Sequence, residues 1–175
     1  NLFDGEGDEL WIEAYMKSVK KDYNIDYIYE DDFFGTAGSL KLLSDKMDSD
    51  FIVSNCDVIV KADYEDVLRF HKQLKSYLTI LTSIQHHVIP YGVINYKKGG
   101  EITEIVEKPE YSFNINTGVY VLSNKCFDYI PEKKYFDMPN LIDKLMNDNR
   151  KVVVYPVNEN DYIDTGQWEE YRNAI

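Results

Sequence analysis

The stretch FIVSNCDVIV, residues 51–60, decides how we interpret this sequence. Its first residues are apolar and predict a short buried strand that ends at Ser54. Asp57 follows three positions later, and apolar residues then resume. In open α/β sheets, ligands bind beyond the carboxyl ends of the strands. Asp57 therefore indicates a ligand site, although an aspartate at a strand end can also serve only as a turn residue.

Apolar periodicity predicts helices and strands that alternate on both sides of this stretch. The predicted helices cover residues 8–21, 36–47, 63–75, 136–149 and 166–174, and the predicted strands cover residues 25–29, 51–54, 77–84, 92–96, 101–107, 118–122 and 151–157. This alternation predicts an α/β fold with a mostly parallel sheet covered by helices on both faces. The strands that flank Lys98-Gly99-Gly100 predict an antiparallel hairpin, which makes the sheet mixed. We expect a single domain, residues 1–175.

Charge and composition narrow the classes of partner. The chain of 175 residues has a net charge of −12, which argues against the basic surface that nucleic acids and anionic membranes require. An anionic small substrate would need a metal ion or locally placed lysines. The two cysteines, Cys56 and Cys126, do not form a metal-binding spacing, and they favour a reduced, cytoplasmic protein.

Several short motifs occur in an order that resembles one enzyme family. They are FFGTAGSL (33–40), NCD (55–57), YGV (91–93), EKP (107–109), NTGVYVL (116–122), YFDMPNLIDKL (135–145) and DYIDTGQWEEY (161–171). Together they resemble the sugar-phosphate nucleotidylyltransferases, in particular those described as mannose-1-phosphate guanylyltransferase-like and found with surface-glycan genes. The resemblance implies the Rossmann-like fold of the nucleotide-diphospho-sugar transferase type. It also implies transfer of a nucleotidyl group from a nucleoside triphosphate to a sugar 1-phosphate, with release of pyrophosphate.

The resemblance also implies a metal site. Asp57 matches the metal-binding aspartate of the family's N-G-D motif, and Asp164 matches the second one, in D-I-G. Mg²⁺ prefers oxygen ligands and typically takes one or two protein carboxylates plus substrate phosphates. We therefore expect Mg²⁺ as the cofactor, held by two catalytic aspartates that only the fold can bring together.

Substrate-binding roles follow from the same resemblance. Lys108 matches a catalytic lysine that contacts the sugar phosphate, and Glu107 lies beside it at the sugar. Asn116 and Gly118 match the pair that lines the sugar pocket. The other matched positions are Tyr91 and Gly92 near the sugar, and Gly35, Thr36, Ala37 and Gly38 beside the nucleobase. Each position also has a structural alternative, because glycines, Asn116 and Asp164 serve equally well in turns and caps.

Two departures from the family pattern affect the expected function. Cys56 stands where the N-G-D motif has glycine, and the glycine-rich loop G-G-x-G-T-R-L-x-P that opens the family has no counterpart. We therefore expect an N-terminally truncated domain, the C-terminal two-thirds of the family fold, which belongs to a longer parent enzyme and is inactive alone. Surfaces left uncovered in such a fragment would favour a homo-oligomer.

Two other function classes remain open on the sequence. The chain could be a non-catalytic module that binds sugar nucleotides or regulates a partner, which Cys56 and the missing loop favour. A receiver-like module with Asp57 as phosphoryl acceptor fits the hairpin and the E-K-P run poorly. The pair His86-His87 is not expected to bind a metal, because adjacent side chains in a strand point to opposite faces.

Overall fold

The computed structural model of the protein describes residues 8–166. The chain divides into two compact units, Asn1–Asp31 and Asp32–Ile175. The described part of the first unit contains helix α1 (Asp8–Ser18), followed by chain without regular secondary structure. The strand predicted at residues 25–29 is therefore wrong. Its apolar alternation is real, but β-propensity forms a strand only where a neighbouring strand supplies hydrogen bonds, and no described residue pairs with this segment.

The second unit contains eight strands and three α-helices among its described residues. The strands are β1 (Phe51–Ser54), β2 (Val58–Val60), β3 (Leu78–Val88), β4 (Val93–Tyr96), β5 (Ile102–Val106), β6 (Glu110–Leu122), β7 (Val152–Val157) and β8 (Tyr162–Asp164). The helices are α2 (Gly35–Gly38), α3 (Tyr64–Leu74) and α4 (Met138–Asn147), and three 3₁₀ segments cover Ser39–Leu43, Asn124–Tyr129 and Glu159–Asp161. None of the helices within residues 8–166 has the length and apolar character needed to span a membrane.

A four-stranded mixed sheet in the order β1–β6–β3–β7 forms the centre of this unit. Strand β6 runs antiparallel to both β1 and β3, whereas β3 and β7 are parallel. Three of the four strands, β1, β3 and β7, therefore run in the same direction. The predicted mixed sheet is confirmed, although only one of its three strand pairs, β3–β7, is parallel where a mostly parallel sheet was expected. The predicted β4–β5 antiparallel hairpin is also confirmed and forms a separate two-stranded sheet.

Helices cover both faces of the central sheet because its strands are apolar on both sides. Leu78, Tyr120 and Leu122 pack on one face with the buried residues of α2, α4 and the Asn124–Tyr129 segment. Their neighbours in the strands, among them Leu81 and Val121, pack on the other face against α3. This period-two alternation explains why GVYVL, in which nearly every residue is apolar, lies between two cores.

Side chains cap the starts of α3 and α4. The Asp63 carboxylate accepts hydrogen bonds from the backbone N–H groups of Glu65 and Asp66, which caps α3. Asp137 and Asn140 form a capping box at α4, with a proline in the first turn. The helix predicted at 36–47 is broken into a four-residue α-helix, a 3₁₀ segment and turns. Apart from Gly166, the predicted closing helix at 166–174 lies outside the described residues.

Candidate functional site

The two candidate metal-binding aspartates lie on neighbouring short strands. Asp57 follows the carboxyl end of β1 and immediately precedes β2, and Asp164 ends β8. Strands β2 and β8 pair antiparallel, with Val58 opposite Asp164. The sequence did not predict either strand, since each has only three residues. Their pairing brings together two aspartates that are far apart in the chain, and both line one cavity.

The residues after Asp164 hold this arrangement in place. Thr165 donates its backbone N–H and its hydroxyl to the carbonyl oxygen of Asp57, each at 2.9 Å. The N–H of Gly166 donates to Oδ1 of Asp164 at 3.0 Å. A Cβ placed on Gly166 would lie 3.1 Å from Asp164 Oδ1 and 3.4 Å from Asp57 Oδ2. Both carboxylates therefore border the space beside Gly166, which a side chain would fill.

This donor set fits Mg²⁺. The cation favours carboxylate oxygens, and it commonly uses few protein ligands because substrate phosphates and water complete its shell. Within residues 8–166 no group of three or more His, Cys, Asp or Glu side chains could hold a metal ion. Asp57 and Asp164 could therefore hold Mg²⁺ only together with substrate phosphates and water, for which the adjacent cavity leaves room.

A bulge in β6 forms the wall opposite the aspartates. The register between β3 and β6 shifts after the pair Ile80–Tyr120 and resumes at Thr82–Asn116. The bulged residues include Gly118, whose φ of +79° is readily accessible only to glycine. Its Cβ would lie 2.8 Å from Nδ2 of Asn55, so the bulge places β6 directly against the NCD segment.

Side-chain hydrogen bonds stabilise the bulge. Oδ1 of Asn116 accepts from the N–H of Gly118 at 3.0 Å, and its Nδ2 donates to the Tyr120 hydroxyl at 2.7 Å. The Thr117 hydroxyl donates to the carbonyl oxygen of Leu81 at 2.8 Å. The residue types of the N-T-G sequence are thus explained by the bulge itself. The same residues also line the cavity.

The cavity measures about 210 Å³. Its lining residues are Asn55, Asp57, Val58, Asn116, Thr117, Gly118, Tyr120, Tyr162 and Asp164. The sequence predicted Asp57, Asn116, Gly118 and Asp164 as site residues, and the structure brings all four together. It missed Asn55, Val58, Thr117, Tyr120 and Tyr162.

Of these, Asn55 had a signal in the sequence, because it lies in the same strand-end loop as Asp57. Tyr120 lies within the quoted motif NTGVYVL but was not singled out, because the resemblance matches only Asn116 and Gly118 there. Burial raises the pKa of the Tyr120 hydroxyl, which keeps it protonated and able to donate.

Cys56 does not occupy the cavity. Its side chain is exposed, and the residue is absent from the cavity lining although both of its neighbours belong to it. The replacement of a glycine by cysteine at this position therefore leaves the described cavity unobstructed.

The other predicted sugar-side residues lie at the base of the β4–β5 hairpin rather than in the cavity lining. Tyr91 is 74% exposed, and a Cβ on Gly92 would lie 2.9 Å from Oε2 of Glu107. Lys108 has a φ of +45°, a left-handed conformation that is uncommon for residues other than glycine. These four residues thus form a separate cluster, joined to the cavity by strand β6, which begins at Glu110.

The predicted nucleobase segment packs against the start of α4. The N–H groups of Ala37 and Gly38 both donate to the carbonyl oxygen of Phe136, at 3.0 and 2.8 Å. The N–H of Thr36 donates to Asp137 Oδ1 at 3.0 Å. A Cβ on Gly35 would lie 2.8 Å from that same oxygen, so the glycine permits close approach of the two segments. The structure thus supports a packing role for this segment, and none of its residues lines the cavity.

His86 and His87 are adjacent in β3, and their side chains contact different residues. His86 is exposed, and its Nδ1 lies 3.0 Å from the Ser112 hydroxyl and 3.2 Å from Glu110 Oε1. His87 contacts the ring of Phe113 instead. The two imidazoles thus have different neighbours and do not form a metal pair.

Comparison with known proteins yields one family. A family model described as nucleotidyl transferase matches residues 7–175. A mannose-1-phosphate guanyltransferase of Yarrowia lipolytica is 37% identical over 129 residues, which cover 70% of this chain and 36% of that protein. One of Schizosaccharomyces pombe is 31% identical over 172 residues, covering 93% of this chain and 47% of that protein. The chain thus spans less than half the length of these curated relatives.

Solved structures give the same result. The crystal structure of HddC from Yersinia pseudotuberculosis superposes with a TM-score of 0.69 at 27% sequence identity. The match covers 97% of this chain and 73% of HddC. A second structure of HddC, complexed with GMP-PN, matches with the same TM-score.

Proposed function

Because this chain belongs to the nucleotidyl transferase family, we propose that it forms part of an enzyme that transfers a nucleotidyl group from a nucleoside triphosphate to a sugar 1-phosphate. The products are a nucleotide sugar and pyrophosphate. The observation that carries the proposal is the cavity in which Asp57 and Asp164 meet Asn116 and Gly118.

The proposed reaction requires positioning and charge neutralisation more than covalent catalysis. A phosphate oxygen of the sugar 1-phosphate attacks the α-phosphorus, and pyrophosphate leaves on the opposite side. Mg²⁺ bound by Asp57 and Asp164 would neutralise phosphate charge. That contribution is needed because the chain itself carries a net charge of −12, which repels a triphosphate. The two aspartates supply the ligand oxygens, and Thr165 fixes the position of one of them.

Amide and hydroxyl groups of the cavity suit a sugar. Asn55, Asn116 and Tyr120 can donate or accept hydrogen bonds, and a sugar hydroxyl needs partners of both kinds. In this proposal Lys108 supplies a positive charge to the sugar phosphate, and Glu107 binds a sugar hydroxyl. The left-handed backbone of Lys108 supports a functional role, because strained conformations are concentrated at functional sites.

The names of the relatives suggest the first substrates to test. Both fungal relatives are described as mannose-1-phosphate guanyltransferases, and one HddC structure is a complex with GMP-PN. GTP with mannose 1-phosphate is therefore the first pair, followed by the other common nucleotides and sugar phosphates. A nucleotide sugar made in this way would feed polysaccharide synthesis. Triphosphate substrates and two free cysteines fit a cytoplasmic location.

A non-catalytic sugar-nucleotide-binding module is the second candidate. The observation that favours it is the absence of lysine and arginine from the cavity lining within the described residues. A module of this kind would bind a nucleotide sugar without releasing pyrophosphate from a triphosphate.

The experiment measures pyrophosphate release by the full-length protein with Mg²⁺ and each substrate pair. Asp57→Asn and Asp164→Asn should each lower kcat by more than about 100-fold, the usual cost of removing one electrostatic group from a reaction centre. Asp161→Asn is the matched control, since this nearby aspartate does not line the cavity. Electron paramagnetic resonance of Mn²⁺ gives an independent readout: both site variants should bind Mn²⁺ more weakly. Unchanged turnover and Mn²⁺ binding in Asp57→Asn would refute the assignment, and binding of nucleotide sugar without turnover by the wild type would favour the second candidate.

Lys108→Ala tests the sugar side separately. This variant should raise the KM for the sugar 1-phosphate more than the KM for the triphosphate, because the proposed contact involves only the former. Equal increases in both KM values would contradict a sugar-side role for this lysine.

A further inference from the structure

The β4–β5 hairpin carries an apolar face that is open to solvent. Cross-strand pairing places Ile94 opposite Ile105 and, beyond a register shift that leaves Thr103 unpaired, Tyr96 opposite Ile102. Ile94 and Tyr96 are two residues apart in β4, so both pairs lie on the same side of the hairpin. We call these four residues the apolar hairpin face. Their exposed fractions are 51% for Ile94, 70% for Tyr96, 55% for Ile102 and 61% for Ile105. Each of these large apolar side chains is therefore more than half exposed.

The reverse side of the same hairpin has the opposite character. There Asn95 donates from Nδ2 to Oε2 of Glu104 at 3.1 Å, next to the half-buried pair Val93 and Val106. The hairpin pairs with no other described strand. An isolated two-stranded sheet is only marginally stable in water, so a contiguous apolar face on such a hairpin indicates a surface that another molecule covers.

We propose that a second copy of this chain covers the apolar hairpin face, forming a two-fold symmetric dimer. A two-fold axis through the face would pack each isoleucine and tyrosine against the same set of residues in the partner. The proposal concerns association and does not depend on the reaction proposed above.

Charge complementarity along the hairpin supports this occupant. The tip carries Lys97, Lys98 and Glu101, a net charge of +1, and the base carries Glu107, Lys108 and Glu110, a net charge of −1. When two hairpins pack face to face in opposite directions, the tip of one lies beside the base of the other. The hairpin is also almost neutral in a chain of net charge −12, so charge repulsion between two copies is small at this surface.

The tip offers no steric obstacle to such packing. Gly99 and Gly100 form it, and a Cβ on either glycine would meet no atom within 4 Å. Two backbone hydrogen bonds close the turn, from the N–H of Lys97 to Glu101 and from the N–H of Gly100 to Lys97. The tip is thus ordered by its own backbone and can approach a neighbouring copy closely.

Sedimentation velocity over a wide range of protein concentrations tests the proposal. The wild type should show a monomer–dimer equilibrium. Ile94→Lys should raise the dimer Kd by more than about tenfold, as expected for an apolar residue at the centre of an interface. Asn95→Lys is the matched control, because it introduces the same charge one position away on the opposite side. Its dimer Kd should change by no more than about twofold.

A charge-reversal experiment tests the orientation of the two hairpins. The variant Lys97→Glu/Lys98→Glu should self-associate poorly, and Glu110→Lys should likewise form weaker homodimers. Mixing the two variants should restore dimerisation, because the negatively charged tip of one variant then lies beside the positively charged hairpin base of the other. Circular dichroism of every variant should match the wild type, since all these positions are exposed.

Three results would overturn the proposal. They are a wild type that stays monomeric at every concentration, a dimer whose Kd responds equally to Ile94→Lys and Asn95→Lys, and a mixture of charge-reversal variants that fails to dimerise. Tight binding of a different, basic protein to monomeric wild type through Ile94 would assign the face to that partner instead.

Discussion

Thr165 binds the backbone of Asp57 with two hydrogen bonds, one from its N–H and one from its hydroxyl, both at 2.9 Å. The two residues are separated by 108 positions in the chain. Because Thr165 directly follows Asp164, this contact fixes the two candidate metal ligands relative to each other. The D-T-G sequence thus combines a carboxylate, a hydrogen-bonding residue and a glycine that leaves space between two carboxylates.

Thr165→Val should loosen this contact. Valine keeps the shape of threonine but removes the hydroxyl, so one hydrogen bond is lost and the backbone bond remains. We expect a decrease of about 0.5–1.5 kcal/mol in the free energy of unfolding and weaker Mn²⁺ binding. Chemical denaturation and Mn²⁺ titration measure the two effects. Thr165→Ser, which retains the hydroxyl, should stay close to the wild type, and equal losses in Ser and Val variants would contradict the role of that hydroxyl.

Gly118→Ala should destabilise the bulge in β6 for two reasons. The φ of +79° costs an L-residue about 1–2 kcal/mol, and the new methyl group would lie 2.8 Å from Asn55 Nδ2. Gly100→Ala is the control, because its φ of +90° imposes backbone strain while its Cβ meets open space. Thermal unfolding should show a larger decrease in Tm for Gly118→Ala. Equal decreases would mean that contact with Asn55 is unimportant.

The sequence predicted the sheet better than it predicted the site, for a physical reason. GVYVL is buried on both faces, so its apolar run identifies the strand directly, and FIVS carries a similar apolar run although one of its faces is exposed. The cavity depends instead on features with little sequence signal. Strands β2 and β8 have three residues each, and the N-terminal half of β6, EYSFNIN, is largely exposed and lacks an apolar run.

The individual residues of the site also depend on features that have little signal in the sequence. Asp57 and Asp164 were identified through motifs, but their convergence depends on the β2–β8 pairing. Tyr120 was predicted only as part of the apolar strand GVYVL, yet its hydroxyl accepts a hydrogen bond from Asn116 at the cavity. A tyrosine can place its apolar ring in the core and its hydroxyl at a polar cavity, and the apolar periodicity of a sequence indicates only the buried ring.

Asp137→Asn should lower stability in a pH-dependent way. The pKa of Asp137 is lowered by the hydrogen bond from the Tyr135 hydroxyl and by those from the backbone N–H and hydroxyl of Thr36. A lowered folded-state pKa stabilises the fold above the ordinary aspartate pKa of about 3.9, and this contribution is lost as the pH falls through the folded-state value. The Tm of Asp137→Asn should therefore be lower than that of the wild type at pH 7 and approach it in acid.

The control for Asp137 is a carboxylate without these contacts. Glu132→Gln removes one negative charge a few positions earlier in the chain and should change Tm little at either pH. If the Tm difference between Asp137→Asn and the wild type persisted unchanged in strong acid, the ionised carboxylate would not be the source of the stability.

His71 should make stability fall between pH 7 and pH 5. The residue is 1% exposed, and its Nδ1 lies 2.8 Å from the Thr79 hydroxyl, while no described residue forms a hydrogen bond with Nε2. Burial lowers the pKa of His71, an effect that the charge of Lys72 reinforces and that of Asp50 opposes. The folded state therefore favours the neutral imidazole, and below the ordinary pKa of about 6.5 the unfolded chain binds a proton more readily.

The free energy of unfolding should decrease by at most about 1.4 kcal/mol per pH unit in this range. Urea denaturation at several pH values should show a smaller slope for His71→Gln, whatever its absolute stability. If the free energy of unfolding of His71→Gln kept the wild-type dependence on pH, another group would be responsible for it.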